Sequence, residues 1–254
     1  MPSRGRFERF FLHQIPCSFI SEGLEDFNLT GNSVRSLLLD KYNNVWAGFY
    51  GSGINFLTQS VASFSTIRAG VPDQLQRLTE KSVMGLVFDK NGQLWVGTDG
   101  KGLNVFSPER KRLATYEHEG GSIVAAATRD SNGNLWFGSF YQGATVKMAG
   151  GGFRKVLPDA HEDVRCFYED DKQQMWIGTA HGIYVVDIKR MKVVNNYHLG
   201  NDMVRAICMD AQHRVWVGYF GIGIEVFSPQ MTRIKSFNSP KGEMEYIPSN
   251  AVNQ

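Results

Sequence analysis

The stretch VMGLVFDKNGQLWVGT, Val83–Thr98, decides the fold. It opens on a run of β-forming residues from Val83 to Phe88. It then breaks at Asp89-Lys90-Asn91-Gly92 and resumes around Trp95. The Asn-Gly pair supplies the positive φ that a tight hairpin turn needs. Downstream come a glycine-bearing loop (Asp99-Gly100-Lys101-Gly102), a third run (Leu103-Asn104-Val105-Phe106), a turn (Ser107-Pro108-Glu109-Arg110) and a fourth run (Leu113-Ala114-Thr115-Tyr116). Four short β-rich runs with turns between them, and no competing helical period, predict four antiparallel strands.

The same stretch recurs along the chain. All five tryptophans stand in one motif, at Trp46, Trp95, Trp136, Trp176 and Trp216, spaced 49, 41, 40 and 40 residues apart. Six residues before each stands an aspartate: Asp40, Asp89, Asp130, Asp170 and Asp210. Six before each aspartate stands a valine: Val34, Val83, Val124, Val164 and Val204. A period of about 40–45 residues holding four strands matches one blade of a β-propeller. The fold expected is therefore all-β, a propeller of four-stranded antiparallel blades. Two residues past each valine the side chain is small (Ser36, Gly85, Ala126, Cys166, Ala206), as the crowded innermost strand of a radial array requires. The repeated Asp and Trp read as structural, since five identical copies do not make a unique catalytic constellation. Each Asp is placed to accept backbone N–H groups at its turn.

Composition narrows the class. The 254 residues are 42% apolar, 12% aromatic and 20% charged, with a net charge of +2. That excludes a disordered chain. The 27 glycines follow no three-residue period, which excludes collagen. No apolar run approaches the ~18 residues of a membrane helix, and near-neutral charge gives no reason to expect nucleic acid as a partner. Three cysteines (Cys17, Cys166, Cys208) do not make a disulfide framework. Arg4, Arg6 and Arg9 are followed by His13, Gln14 and Pro16 rather than an apolar stretch, so no signal peptide is read.

The units divide as blade 1 over 34–82, blade 2 over 83–123, blade 3 over 124–163, blade 4 over 164–203 and blade 5 over 204–245. Residues 1–33 hold Phe7-Glu8-Arg9-Phe10-Phe11, which resembles the outer strand of a preceding blade, and a connection. Residues 246–254 repeat the start of a unit and open a truncated next blade. Five complete repeats with partial blades at both ends read as a fragment of a larger propeller. The rival is a small ring closed by pairing both termini in one blade.

Function is sought in what varies. The loops between second and third strands differ between units and are rich in aromatics: Phe49 and Tyr50, Phe140 and Tyr141, Tyr219 and Phe220, with Asp99 and His181 in the other two. One residue past each valine, on the same face, stand Arg35, Met84, Ala125, Arg165 and Arg205. Aromatic rings beside arginine and aspartate suit a small polar ligand. A sugar is the natural candidate, its C–H faces stacking on Tyr or Phe and its hydroxyls bonding to charged groups. The candidate ligand-binding set is Arg35, Phe49, Tyr50, Asp99, Phe140, Tyr141, Arg165, His181, Arg205, Tyr219 and Phe220. The plainer alternative packs the aromatics loop against loop and pairs the arginines with local acids such as Asp163 or Asp202. Motifs for phosphate loops, zinc proteases and nucleophile elbows are absent, so no catalytic residue, metal or cofactor is expected. His118, Glu119, His161, Glu162, Asp163 and His181 form the one rim where a metal or acid–base pair would be sought.

The unit V-x5-D-x2-G/N-x-h-W-h-G-T, running from Val34 to about Phe237, resembles the two-component regulator propeller repeat, and more loosely the virginiamycin B lyase repeat. Units one, three and five replace its Thr with Phe49, Ser139 and Tyr219. The resemblance implies a periplasmic sensor propeller, often one of two in tandem. Such propellers precede an immunoglobulin-like domain, a membrane helix and an output that is commonly a hybrid histidine kinase, sometimes a diguanylate cyclase. Many members sense glycan fragments. Kinase motifs are absent from this sequence, so only the sensing role carries over. The implied partners are an oligosaccharide or other small molecule, further blades or domains of the same chain, and a second copy as a homodimer. A lyase-like enzyme and a pure protein-interaction propeller are the alternatives.

Overall fold

A computed structural model of the chain describes residues 29–57, 64–70, 77–117, 119–157, 162–200 and 202–237. The expected outer strand at residues 7–11 and the truncated blade at 246–254 lie outside the described residues.

Twenty strands form five four-stranded antiparallel sheets. The first holds β1 (Val34–Leu39), β2 (Val45–Phe49), β3 (Gly53–Leu57) and β4 (Phe64–Ile67). The second holds β5 (Val83–Phe88), β6 (Leu94–Thr98), β7 (Leu103–Phe106) and β8 (Arg112–Tyr116). The third holds β9 (Val124–Arg129), β10 (Leu135–Ser139), β11 (Gly143–Lys147) and β12 (Phe153–Lys155). The fourth holds β13 (Val164–Glu169), β14 (Gln174–Thr179), β15 (Gly182–Asp187) and β16 (Lys192–His198). The fifth holds β17 (Val204–Met209), β18 (Val215–Tyr219), β19 (Ile224–Phe227) and β20 (Arg233–Phe237). Strands within each sheet pair in sequence order, and the leading strands β1, β5, β9, β13 and β17 pack one against the next. This is a β-propeller fragment of repeated blades.

Each hairpin between first and second strands is closed by its aspartate. In the third sheet, Asp130 Oδ1 accepts the Asn134 N–H at 2.8 Å, while Oδ2 accepts Trp136 Nε1–H at 2.8 Å. The Trp bond recurs at 3.2 Å for Trp46, 3.4 Å for Trp95, 3.0 Å for Trp176 and 2.9 Å for Trp216. One carboxylate thus satisfies both the turn and the indole.

The tryptophans join neighbouring sheets. Trp46 meets Phe88 edge-on at 5.5 Å, Trp95 lies 5.7 Å from Phe137, and Trp136 meets Phe167 at 6.2 Å. In each case the partner belongs to the following sheet. The apolar core accordingly lies between sheets. One cluster joins Trp46, Ile54 and Phe56 to Val83, Leu86 and Leu94, and another joins Trp136 and Val146 to Val164, Phe167 and Ile177.

The glycine two residues past each of the first four tryptophans sits against the valine that opens the next sheet. A Cβ at Gly48 would stand 2.6 Å from a Val83 methyl, and one at Gly97 2.8 Å from a Val124 methyl. Gly138 faces Val164 in the same way, and a Cβ at Gly178 would lie 2.7 Å from a Val204 methyl. Leu86, Phe167 and Ile207 share one column and are buried by the preceding sheet, whereas Leu37 in that column is 69% exposed. Among the described residues none covers it.

Gly178→Ala is expected to destabilise by about 1–3 kcal/mol through overpacking, with a smaller penalty in a Val204→Ala background; denaturant unfolding of the four-member cycle measures this. The hydrogen bond from Trp216, with those from the turn, holds the Asp210 carboxyl down at about 2. Its folded value lies below the ordinary value near 4. Its stabilising contribution is therefore complete above ~4 and is lost as pH falls through about 2. Asp210→Asn should flatten that part of a Tm-against-pH profile.

Candidate functional site

The residue after each opening valine occupies a β-bulge. Val34 pairs with Phe49 and Ser36 with Gly48, leaving Arg35 as an extra residue. The same shift leaves Met84, Ala125, Arg165 and Arg205 extra in the other sheets. A bulge takes its residue out of the pleat's alternation and re-aims the side chain. The sequence pattern places these residues correctly along the chain but does not reveal the bulge that turns them.

Each arginine so placed lies over an aromatic ring. The Arg165 guanidinium stands 3.8 Å from the Phe140 centroid. Arg35 lies 5.2 Å from Tyr50 and Arg205 5.1 Å from Phe220. Tyr50 and Phe220 are about half exposed. Burial, together with the charges of Arg165 and Arg35, pulls the Arg205 guanidinium below its ordinary value. Arg205, in the fifth blade, therefore feels the charges of Arg165 in the fourth and Arg35 in the first.

Asp163 organises one side of this mouth. Its Oδ2 accepts Arg165 Nη2–H at 2.9 Å, and its Oδ1 accepts the Tyr141 backbone N–H at 2.9 Å. That second bond holds Tyr141 at φ 59°, in the left-handed region, with its side chain exposed. A bulky residue held there is strained. Asp163, read from sequence only as a local acid or rim residue, is what joins the Phe140-Tyr141 loop to Arg165.

Two of the expected ligand-facing residues are corrected. Phe49 and Tyr219 are wholly buried. They end β2 and β18 in the position where Thr98 and Thr179 end theirs, facing inward. The Tyr219 hydroxyl donates to Glu225 Oε2 at 3.0 Å, and burial, with the Glu225 charge, pushes its pKa well up. These rings support the loops from beneath. Asp99 is half-buried, and its N–H bonds to the Ser82 carbonyl at 3.1 Å. His181 is exposed, with Nδ1 3.4 Å from Glu162 Oε2. His118 and His161 lie outside the described residues. Among the described residues no group of three or more His, Cys, Asp or Glu is placed to hold a metal.

The lead-in loops are latched by buried asparagines, which sequence reading missed. Asn55 Oδ1 accepts the Thr30 N–H at 2.8 Å, and Asn104 Oδ1 accepts the Thr79 N–H at 3.1 Å. The matching 25-residue offset was the available signal. Below the mouth, burial pushes the Cys166 thiol up to about 12. Cys166 should therefore resist Ellman's reagent at pH 8 in the native chain while exposed Cys208 reacts, as peptide mapping will show.

The chain can now be set beside known proteins. The family model described as two component regulator propeller matches residues 28–51, 77–100, 119–141, 159–181 and 198–221. No curated protein matches the chain. A solved structure described as the extracellular domain of a hybrid two component system, BT3049 from B. thetaiotaomicron, is 33% identical over 87% of this chain, with a TM-score of 0.62. This chain spans 30% of that one's length. A second such domain, BT4673 from the same organism, is 15% identical, with coverage of 92% and 36% and a TM-score of 0.63. Virginiamycin B lyase from Staphylococcus aureus shares the fold at 12% identity, covering 82% of this chain and 71% of that one, with a TM-score of 0.64. No helix among the described residues is long and apolar enough to cross a membrane. The five matched repeats coincide with the five Val/Asp/Trp units, and the chain belongs to the two-component regulator propeller family.

Proposed function

We propose that this chain is the ligand-sensing part of a periplasmic signal-transduction receptor and that it recognises a carbohydrate or other small polar ligand at the arginine-lined mouth. The observation that carries the reading is the set of three bulge arginines, each over an aromatic ring, at one end of a scaffold whose repeated Asp, Trp and Gly hold the sheets together. The 33% identity to an extracellular domain of a hybrid two component system supports the signalling role. In such a receptor the chain performs no reaction. Ligand acts by binding one arrangement of the propeller and its neighbouring domains more tightly than the other, and only that difference in affinity can signal.

The geometry refines what the ligand can touch. Arginine already covers one face of Tyr50, Phe140 and Phe220. A sugar ring would stack on the open faces of Tyr50, Phe220 and the exposed Tyr141. The lyase-like alternative shares only the fold, and its candidate rim supplies only the His181–Glu162 pair among the described residues.

A glycan array followed by calorimetry tests the reading. At least one glycan should bind, and Tyr50→Ala or Phe220→Ala should each weaken it by about 1 kcal/mol, roughly fivefold. A chain that binds no glycan but loses dimerisation in Tyr50→Ala or Tyr141→Ala would be a protein-interaction platform instead.

A further inference from the structure

We propose that the mouth is an anion subsite, built to take a carboxylate or sulfate group of the ligand between Arg35, Arg165 and Arg205. This rests on the mouth being the ligand site and adds the charge of the group bound there.

The first argument is charge balance. Three guanidiniums face the mouth, and one carboxylate, Asp163, pairs with one of them, Arg165. Among the described residues neither Arg35 nor Arg205 makes an ion pair. Asp202, one of the local acids that the plainer alternative offered to the arginines, makes no ion pair with Arg205. Two positive charges are left without a carboxylate partner, and one of them, Arg205, is half-buried, where screening by water is weaker. Like charges gathered without a counter-charge raise the free energy of the unliganded state, and an anion removes that repulsion.

The second argument is hydrogen bonding. The Nε atoms of Arg165 and Arg205 are buried and have no partner. Buried donors are nearly always satisfied, so two orphans of the same kind at one mouth call for an explanation. Small movements of these side chains over their rings would offer the Nε–H to an oxyanion.

The third argument is geometry. A guanidinium stacked on a ring engages that ring through its face and leaves its edge donors pointing sideways. Paired N–H donors along such an edge match the two oxygens of a carboxylate or sulfate. The bulge fixes where each arginine leaves its strand, and each guanidinium carbon then lies 3.8, 5.1 or 5.2 Å from a ring centroid. Met84 and Ala125 occupy the same bulge in the second and third sheets, so the bulge arginines are confined to blades 1, 4 and 5. That asymmetry lets a ligand bind in one orientation, with its anionic group toward these three blades.

The test uses the full chain with 15N-labelled arginine. Probes are a galacturonic acid trisaccharide, a 6-sulfated galactose disaccharide, inorganic sulfate and a neutral galactose trisaccharide. The expected result is that at least one anionic probe shifts the Nε–Hε signals lost in Arg165→Gln and Arg205→Gln, and leaves that of Arg110, which stacks on Phe56 away from the mouth. Affinity should fall at least tenfold in Arg205→Gln and in exposed Arg35→Gln, and should weaken as salt rises. A response to inorganic sulfate equal to that of the sugars would identify the free anion as sufficient, whereas a response only to the trisaccharide or the disaccharide would identify the sugar-borne group. Arg205→Gln loses the Phe220 contact as well as the repulsion, so its Tm should stay close to that of the parent chain, which separates lost binding from lost folding. Neutral sugar binding that Phe220→Ala abolishes and Arg205→Gln leaves intact would overturn the anion subsite while leaving the ligand mouth standing. Silence of the mouth signals to all four probes would overturn the subsite, and glycan binding that survives Tyr50→Ala and Phe220→Ala would overturn the mouth itself.

Discussion

The close approach of glycine to valine between sheets is the constraint on which the remainder rests. Four times over, the glycine of the W-h-G motif leaves no room for a side chain because the next sheet's opening valine fills that space. The contact sets how near successive leading strands come. It also explains why the position two past the valine is small. In the fourth sheet Cys166 Sγ lies against the same glycine that Val204 approaches from the fifth. The tryptophan farther along the strand then spans the wider part of the gap. Its indole N–H would be an orphan in that apolar space, and the carboxylate six residues earlier removes the penalty. Glycine, valine, tryptophan and aspartate are thus four parts of one device for stacking sheets.

The device has a consequence for function. Fixing the valine against the neighbouring sheet while the next small residue re-enters the ladder leaves one residue too many between them. The bulge is where that residue goes. Its identity varies between sheets: arginine three times, methionine and alanine once each. Stacking on a ring is worth about 0.5–2 kcal/mol. In three blades it steadies a charge that would otherwise repel its counterparts.

How much of this was legible in the sequence follows from the same division. Repeated residues obey a common geometry, so register alone exposed the blades, the aspartate turns and the tryptophan column. Asp130 and Trp136 could be paired on paper by their six-residue offset, although the direct bond between them had to be seen. Loop residues obey no common geometry. Phe49 and Tyr219 carry the same aromatic character as Tyr50 and Phe220, yet they end their strands facing inward, and nothing in composition marks which neighbour of a pair points out. Alignment with Thr98 and Thr179, both fully buried, was the available clue. Asp163 was legible as an acid for the arginines and does pair with Arg165, but its part in holding the neighbouring loop was not. Its importance comes from binding a backbone N–H 22 residues earlier, a contact that only the folded chain creates.

A binding mouth of the proposed kind would have a property that a site on a single element lacks. Its three cations come from blades 1, 4 and 5, and the Phe140-Tyr141 loop that abuts Arg165 comes from blade 3. A ligand seated among them on the proposed reading would bridge sheets that otherwise communicate through Gly–Val contacts, which are tight and intolerant of small displacement. Relief of repulsion between distant blades would favour the arrangement in which their mouths lie closest. A neighbouring domain resting on more than one blade could then distinguish occupied from empty. The energy available for that distinction is the difference in ligand affinity between the two arrangements, and repulsion among the arginines contributes to it to the extent that the arrangements hold them at different separations.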